Sequence, residues 1–222
     1  MTDVIIIGAG GHGAELDEYI AHSEKEKGGR DYNVIGFLDD NPENYSRYKL
    51  SAPLLGSVSE HQIRTDIRYI IGIANPEVRR PVVEKFLEKG AEFVKVIHHS
   101  ACISVSAVIG RGCVVGPNAN IGPNVYVGDF NLLNSRCSLG HDTRLGSYNF
   151  ISPNVSLSGF TEAGDENLFG INSATIPGIK IGSRNKIAAG MVLNQNIKDD
   201  SVVFYRYKEQ VLAVPLKKGG DI

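Results

Sequence analysis

Between Ile103 and Leu193 one class of residue returns at every sixth position: Ile109, Val115, Ile121, Val127, Leu133, Leu139, Leu145, Ile151, Leu157, Ala163, Phe169, Thr175, Ile181 and Ile187 complete a register of 16, and only Ala163, Phe169 and Thr175 are not Ile, Leu or Val. Glycine follows directly at 110, 116, 122, 128, 140, 146, 164, 170 and 182. The fourth residue beyond each apolar position is usually small, as at Ala107, Cys113, Ala119, Thr143 and Ser173. A helix cannot gather this pattern on one face, because six residues at 3.6 per turn leave a net rotation of about 240°. Short strands with a turn after each can. The hexapeptide period predicts a parallel β-helix in which each unit makes one wall and its corner, and the apolar residues stack inward from coil to coil. With three walls to a coil the 16 units give about five coils, rising by roughly 4.8 Å each. Such a rod has two open ends to cover. The N-terminal region is expected over one, and the irregular segment from about Asp199, "VVFYRYKEQVLAVP", over the other.

This register gives His141 a direction. The second position beyond the apolar residue holds Arg111, Pro117, Pro123, Asp129, Ser135, Ser147, Pro153 and Asp165, almost all polar or turn-forming, so His141 projects outward. A core histidine is disfavoured, and an ordinary surface histidine remains the alternative to a functional one.

The first hundred residues have another character. "DVIIIGAGGHGAELDEYI" reads as a buried strand, a glycine turn and a helix, with Gly8, Gly10 and Gly13 fitting G-x-G-x-x-G. "NVIGFLDDN" adds a strand ending at Asp39 and Asp40, "IRYIIGIANPEVRRPVVEKFLEKG" a strand, a turn at Asn75 and a helix, and "FVKVIH" a further strand. The expected organisation is a Rossmann-like α/β domain over 1–98 and an all-β helix of hexapeptide repeats over 99–222, with a C-terminal cap. The glycine turn suits a phosphate, since free N–H groups and the positive dipole end meet there. It also serves plain packing of helix on strand. A nicotinamide enzyme needs a second domain to carry substrate to the cofactor, for which a β-helix is a poor candidate; a nucleotide bearing a sugar fits the loop better.

Charge and cysteine content narrow the classes further. With 23 Lys and Arg against 25 Asp and Glu and no run of like charge, neither a nucleic acid nor a membrane surface is an expected partner. Three cysteines and no basic, apolar leader suggest a cytoplasmic protein. A zinc enzyme on a β-helix needs at least three protein ligands, whereas His141 is the only histidine inside the repeat, His98 and His99 preceding it. No metal is expected. Cys137, four residues from His141, is in register with the small inward residues and is expected to be inert.

Taken in order, "GAGGHG", "FLDDN", "IHHSACIS", "LNSRCSLGHD" and "FGINSATIP" resemble the NeuD/PglD-like family of sugar acyltransferases over nearly the whole chain. The resemblance implies a left-handed β-helix, a homotrimer with sites between subunits, acetyl-CoA as donor and the amino group of a nucleotide-linked sugar as acceptor, in the making of surface-glycan precursors. It matches the catalytic histidine to His141, its acidic neighbour to Asp142 and a nearby asparagine to Asn134. The nucleotide-sugar loop matches Gly8, Gly10, Gly11, His12 and Gly13, with Asp39, Asp40 and Asn75 at the following strand ends. Ser152, Gly170, Ile171, Ala189 and Gly190 match the coenzyme groove. Phe150 stands where one branch has a second histidine, and the altered C-terminus offers Tyr205 and Tyr207 either to adenine or to a cap. Lys180, Arg184 and Lys186 are either phosphate partners or solvated charge. Transfer to a hydroxyl, as in sialic acid O-acetyltransferases, and a non-catalytic nucleotide-sugar-binding scaffold are the competing functions.

Overall fold

The computed structural model describes residues 1–27 and 31–205. The N-terminal part is a parallel sheet of β1 (Thr2–Ile7), β2 (Tyr32–Leu38), β3 (Leu54–Gly56) and β4 (Arg68–Ile71), ordered β3-β2-β1-β4. Helices α1 (Gly11–Lys27), α2 (Pro42–Ser46) and α3 (Pro76–Glu88) connect it. Since β2 and β4 flank β1 on opposite sides, the glycine turn leaving β1 lies at the point where strand order reverses, the place where such sheets bind ligands.

From Val96 onward the chain winds into a left-handed parallel β-helix whose three faces are sheets of five, six and seven strands. Every apolar position of the sixfold register is the second residue of a two-residue strand, from Cys102–Ile103 to Val192–Leu193. Successive strands of a face are 18 residues apart, as with Leu132–Leu133 beside Phe150–Ile151. The inward residues form one continuous column, with Val115, Leu133, Leu139, Leu145 and Ile151 at 0% exposure. From Ile109 to Ile187 the third residue beyond each inward one turns the corner in the left-handed region, with φ between 54° and 60° at Asn118, Asn124, Phe130, Arg136, Asp142 and Tyr148.

One corner carries a buried polar ladder. Asn131, Asn149, Asn167 and Asn185 lie 18 residues apart at 0% exposure. The Oδ1 of each accepts the backbone N–H of the next coil, from Asn149 to Asn131 (2.8 Å), Asn167 to Asn149 (2.8 Å), Asn185 to Asn167 (2.9 Å) and Ser201 to Asn185 (2.8 Å). Replacing Asn149 by Ala strands the Asn167 N–H in a dry interior and costs about 2–4 kcal/mol, the loss of a hydrogen bond plus an unmet buried donor. Thermal unfolding of the Asn149→Ala protein is the measurement, and an unchanged midpoint would remove the ladder from the stability account.

The N-terminal domain does not sit over the end of the rod as expected; it lies against the flank. Outward residues of the seven-stranded face, Val96, Val114 and Leu132, are buried in one cluster with Val4, Ile6, Leu16 and Ile20, and Phe150 packs against that cluster. Outward residues of the other faces are mostly polar or small, such as Ser138 and Ser156 on the six-stranded face and Arg144 and Glu162 on the five-stranded one, so among the described residues the seven-stranded flank offers the most continuous apolar surface. Arg79 of α3 fixes the docking. It is 0% exposed and donates to the carbonyls of Ala74, Tyr148 and Asn149. Burial pulls its guanidinium down to about 10, which leaves it charged at neutral pH. The "FVKVIH" segment is divided between the domains: Phe93 bridges to Tyr69, while Val96–Ile97 pairs with Val114–Val115 as the first rung of the prism. At the far end the tail begins by lengthening the same face, Val202–Val203 pairing with Lys186–Ile187. The rest of the expected cap, from residue 206 on and including Tyr207, lies outside the described residues.

Candidate active site

His141 stands on the corner between the six- and five-stranded faces, its side chain 57% exposed. Its Nδ1 lies 2.9 Å from Asp142 Oδ2, and the other oxygen of that carboxylate accepts a hydrogen bond from Asn124 Nδ2 at 3.2 Å. The hydrogen bond from His141, and after it that from Asn124, holds the Asp142 carboxyl below the usual carboxylate range. An ionised Asp142 favours the tautomer with the proton on Nδ1, which leaves the Nε2 lone pair free. Corner geometry makes this pairing possible: Asp142, at φ 59°, turns back towards its neighbour, and Asn124, at φ 57°, occupies the equivalent corner one coil earlier.

Two residues on the next coil seat the ring. A Cβ at Gly159 would come within 2.7 Å of both Cε1 and Nε2 of His141, so the imidazole lies in space that only glycine leaves open. Phe160 meets the ring edge-on, at 5.0 Å between centroids and 87° between planes. Phe160 itself is held at φ 60°, a conformation that costs a non-glycine residue about 1–2 kcal/mol and is imposed by the corner. Sequence reasoning missed Asn124, Gly159 and Phe160, although the signal was present: they are Asp142 minus 18, His141 plus 18 and Asp142 plus 18.

The coenzyme candidates gather on the next corner. Asn134, Ser152 and Gly170 follow one another at 18-residue steps after the seven-stranded face, with Ile171 and Ala189 one position further on. A side chain at Gly170 would strike the backbone nitrogen of Ala189 at 2.6 Å, so this corner is flat, and Gly190 N–H donates to the Ile171 carbonyl at 2.8 Å. Tyr205 Oη donates to the Gly190 carbonyl at 3.3 Å, and the residue is exposed. Asn134 thus belongs with this group. Within one chain the width of the six-stranded face separates it from His141. Phe150, by contrast, faces the N-terminal domain.

Lys180, Arg184 and Lys186 are already paired, with Glu162 (3.2 Å), Asp200 (2.6 Å) and Glu77 (2.9 Å). Cys137 is fully buried and its thiol is pushed up to about 12 by desolvation, which removes it as a nucleophile at neutral pH.

In the N-terminal loop the three motif glycines have different duties. Gly8 takes φ 102°, and a Cβ there would meet the Gly72 carbonyl at 2.9 Å; a Cβ on Gly13 would sit 2.0 Å from the Gly8 carbonyl, so α1 can lie against the loop only through glycine. Around Gly10 there is nothing within 4 Å, while Gly11 faces the Tyr48 hydroxyl. The first turn of α1 carries no acidic residue that would oppose an anion. His12 Nδ1 is 3.1 Å from Glu15 Oε2, and its buried Nε2 has no partner among the described residues. Asp39 closes the loop from the end of β2, accepting from Ala9 N–H and Asn41 N–H, both at 2.8 Å. Asp40 accepts from Ser59 N–H instead. Asn75 caps α3 through Glu77 N–H and lines a separate cavity of about 630 Å³ with Phe150, Leu168 and Lys186.

Comparison with known proteins agrees with both halves of this architecture. Residues 3–86 match the family model described as PglD N-terminal domain. The chain is 29% identical over 111 residues to UDP-N-acetylbacillosamine N-acetyltransferase of Bacillus subtilis (strain 168), a match spanning about half of each chain, 49% of both. Among solved structures, the acetyltransferase domain of PglB from Neisseria gonorrhoeae FA1090 in complex with acetyl coenzyme A superposes with a TM-score of 0.80 at 28% identity, covering 90% of this chain and 94% of that one. PerB from Caulobacter crescentus in complex with CoA and GDP-perosamine gives 0.78 at 26% identity, covering 91% and 93%. Residues 3–86 thus match a PglD N-terminal domain, and along nearly its full length the chain shares its fold with the acetyltransferases PglB and PerB.

Proposed function

We propose that this protein transfers the acetyl group of acetyl-CoA to the amino group of a nucleotide-linked amino sugar, with His141 as general base. The observation that carries the reading is the Asn124–Asp142–His141 chain of hydrogen bonds, which ends at Nε2 of a ring more than half exposed on its corner. An amine attacks a thioester only after losing a proton. Nε2 accepts it as the nitrogen bonds to the carbonyl carbon, and Asp142 stabilises the imidazolium through Nδ1–H. The tetrahedral oxyanion then collapses with release of the coenzyme thiolate. No acyl-enzyme is required, in keeping with the inert Cys137.

The nucleotide diphosphate is assigned to the N-terminus of α1, around Gly10, Gly11 and His12, where N–H groups and the helix dipole favour an anion. Pantetheine is assigned to the flat corner of Ser152, Gly170, Ile171, Ala189 and Gly190. Because that corner and His141 lie on different edges of one prism, the reading includes a homotrimer in which a neighbouring copy brings its Asn134 column to His141. Two relatives support the substrate class, one named for UDP-N-acetylbacillosamine and the other solved with GDP-perosamine. No described helix is long and apolar enough to cross a membrane.

The test is a panel of UDP-, GDP- and dTDP-linked amino sugars incubated with acetyl-CoA, followed by thiol release and by the mass and base-stability of the product. One acceptor should give an alkali-stable amide. An alkali-labile ester would redirect the reading to O-acetylation, and stabilisation by nucleotide sugar without any thiol release would redirect it to a binding scaffold.

A further inference from the structure

We propose that His22, His98 and His99 form a binding site for one zinc-class divalent cation, which would fasten helix α1 to the first coil of the prism. The sequence keeps these residues far apart; docking of the N-terminal domain on the flank brings His22 from α1 over the His98-His99 pair. A ligating nitrogen from each lies within 4.8 Å of the other two, and ring centroids are 5.1 Å (His22–His98), 4.8 Å (His22–His99) and 4.4 Å (His98–His99) apart. Tetrahedral zinc with bonds of about 2.0–2.1 Å wants nitrogens about 3.3 Å apart. His22 is exposed and can swing by that difference, whereas His98 is buried and fixed.

Two further observations favour an ion over simple ring packing. Nδ1 of His99 is buried and has no hydrogen-bond partner among the described residues. Glu18, one turn before His22 on α1, lines the same open cleft and can supply a fourth ligand, or leave that position to water.

The site is tested on the whole protein after treatment with a chelator. Calorimetric titration with zinc chloride should give one ion per chain at micromolar affinity or tighter, and cobalt(II) should produce the visible absorption of a four-coordinate site. His22→Ala and His99→Ala should each weaken binding by at least about 100-fold, more than the cost of losing an outer-sphere contact. Zinc should raise the unfolding midpoint of the wild-type protein by roughly 5 °C at a hundredfold excess over Kd and leave the double variant unmoved. Absence of binding to the wild-type protein, or equal binding by the double variant, overturns the proposal. Acetyl transfer by both variants should stay at the wild-type level, so failure here is distinguishable from failure of the acetyltransferase reading.

Discussion

The His141→Asn protein should fold with an unchanged unfolding midpoint and lose about 10²- to 10⁴-fold in kcat, the contribution usual for a positioned general base. Both halves of this expectation come from the corner. Because more than half of the imidazole is exposed, the fold loses little when it is shortened. Asparagine retains a polar group above Gly159 but cannot take up a proton. The KM values should move much less than kcat, since neither the α1 loop nor the flat coenzyme corner is altered. Steady-state kinetics with the accepted amino sugar is the measurement. A variant that acetylates at the wild-type rate would show that the proton leaves the amine by another route, and Asn124–Asp142–His141 would then be only a surface network.

A second large effect is expected in the glycine loop. Gly10 has empty space around the position of a missing side chain, so Gly10→Val should leave the unfolding midpoint in place while placing bulk where the diphosphate is assigned. Affinity for the nucleotide sugar should fall by at least about 30-fold, equivalent to about 2 kcal/mol, with acetyl-CoA binding unchanged. Gly13→Ala gives the contrast. Its Cβ meets the carbonyl of Gly8 and can be relieved only by moving α1, so this variant should lose stability as well as affinity. If Gly10→Val binds nucleotide sugar normally, the loop serves packing alone and the acceptor lies elsewhere.

The prism interior was fully legible because its rule is strictly local: one apolar residue every six, each now found as the inward member of a strand. What lay outside that rule was read less well. The docking flank is written in the residue before each inward one, at Val114, Leu132, Phe150 and Leu168, a pattern visible only when the sequence is stepped in 18s. The same stepping finds the asparagine ladder and the residues around His141, whose partners are one coil away. Other features have no periodic signature. That His22 meets His98 and His99 follows from how α1 settles on the flank, which is decided by packing between domains. That Asn75 caps α3 beside a different cavity follows from the length of the turn after β4.

The fixed advance of the coils makes the protein a molecular ruler. The N-terminal domain is anchored to particular rungs of one face, and His141 occupies a particular rung of its own, so their separation along the long axis is counted in whole steps of roughly 4.8 Å. A rotation of copies about an axis parallel to the prism leaves that height unchanged. If, as proposed, the α1 loop holds the phosphates and His141 takes the proton, acceptors are sorted by reach, and a relative that gains or loses one turn of the solenoid between anchor and imidazole would handle a donor-facing group set correspondingly farther from, or nearer to, its phosphates.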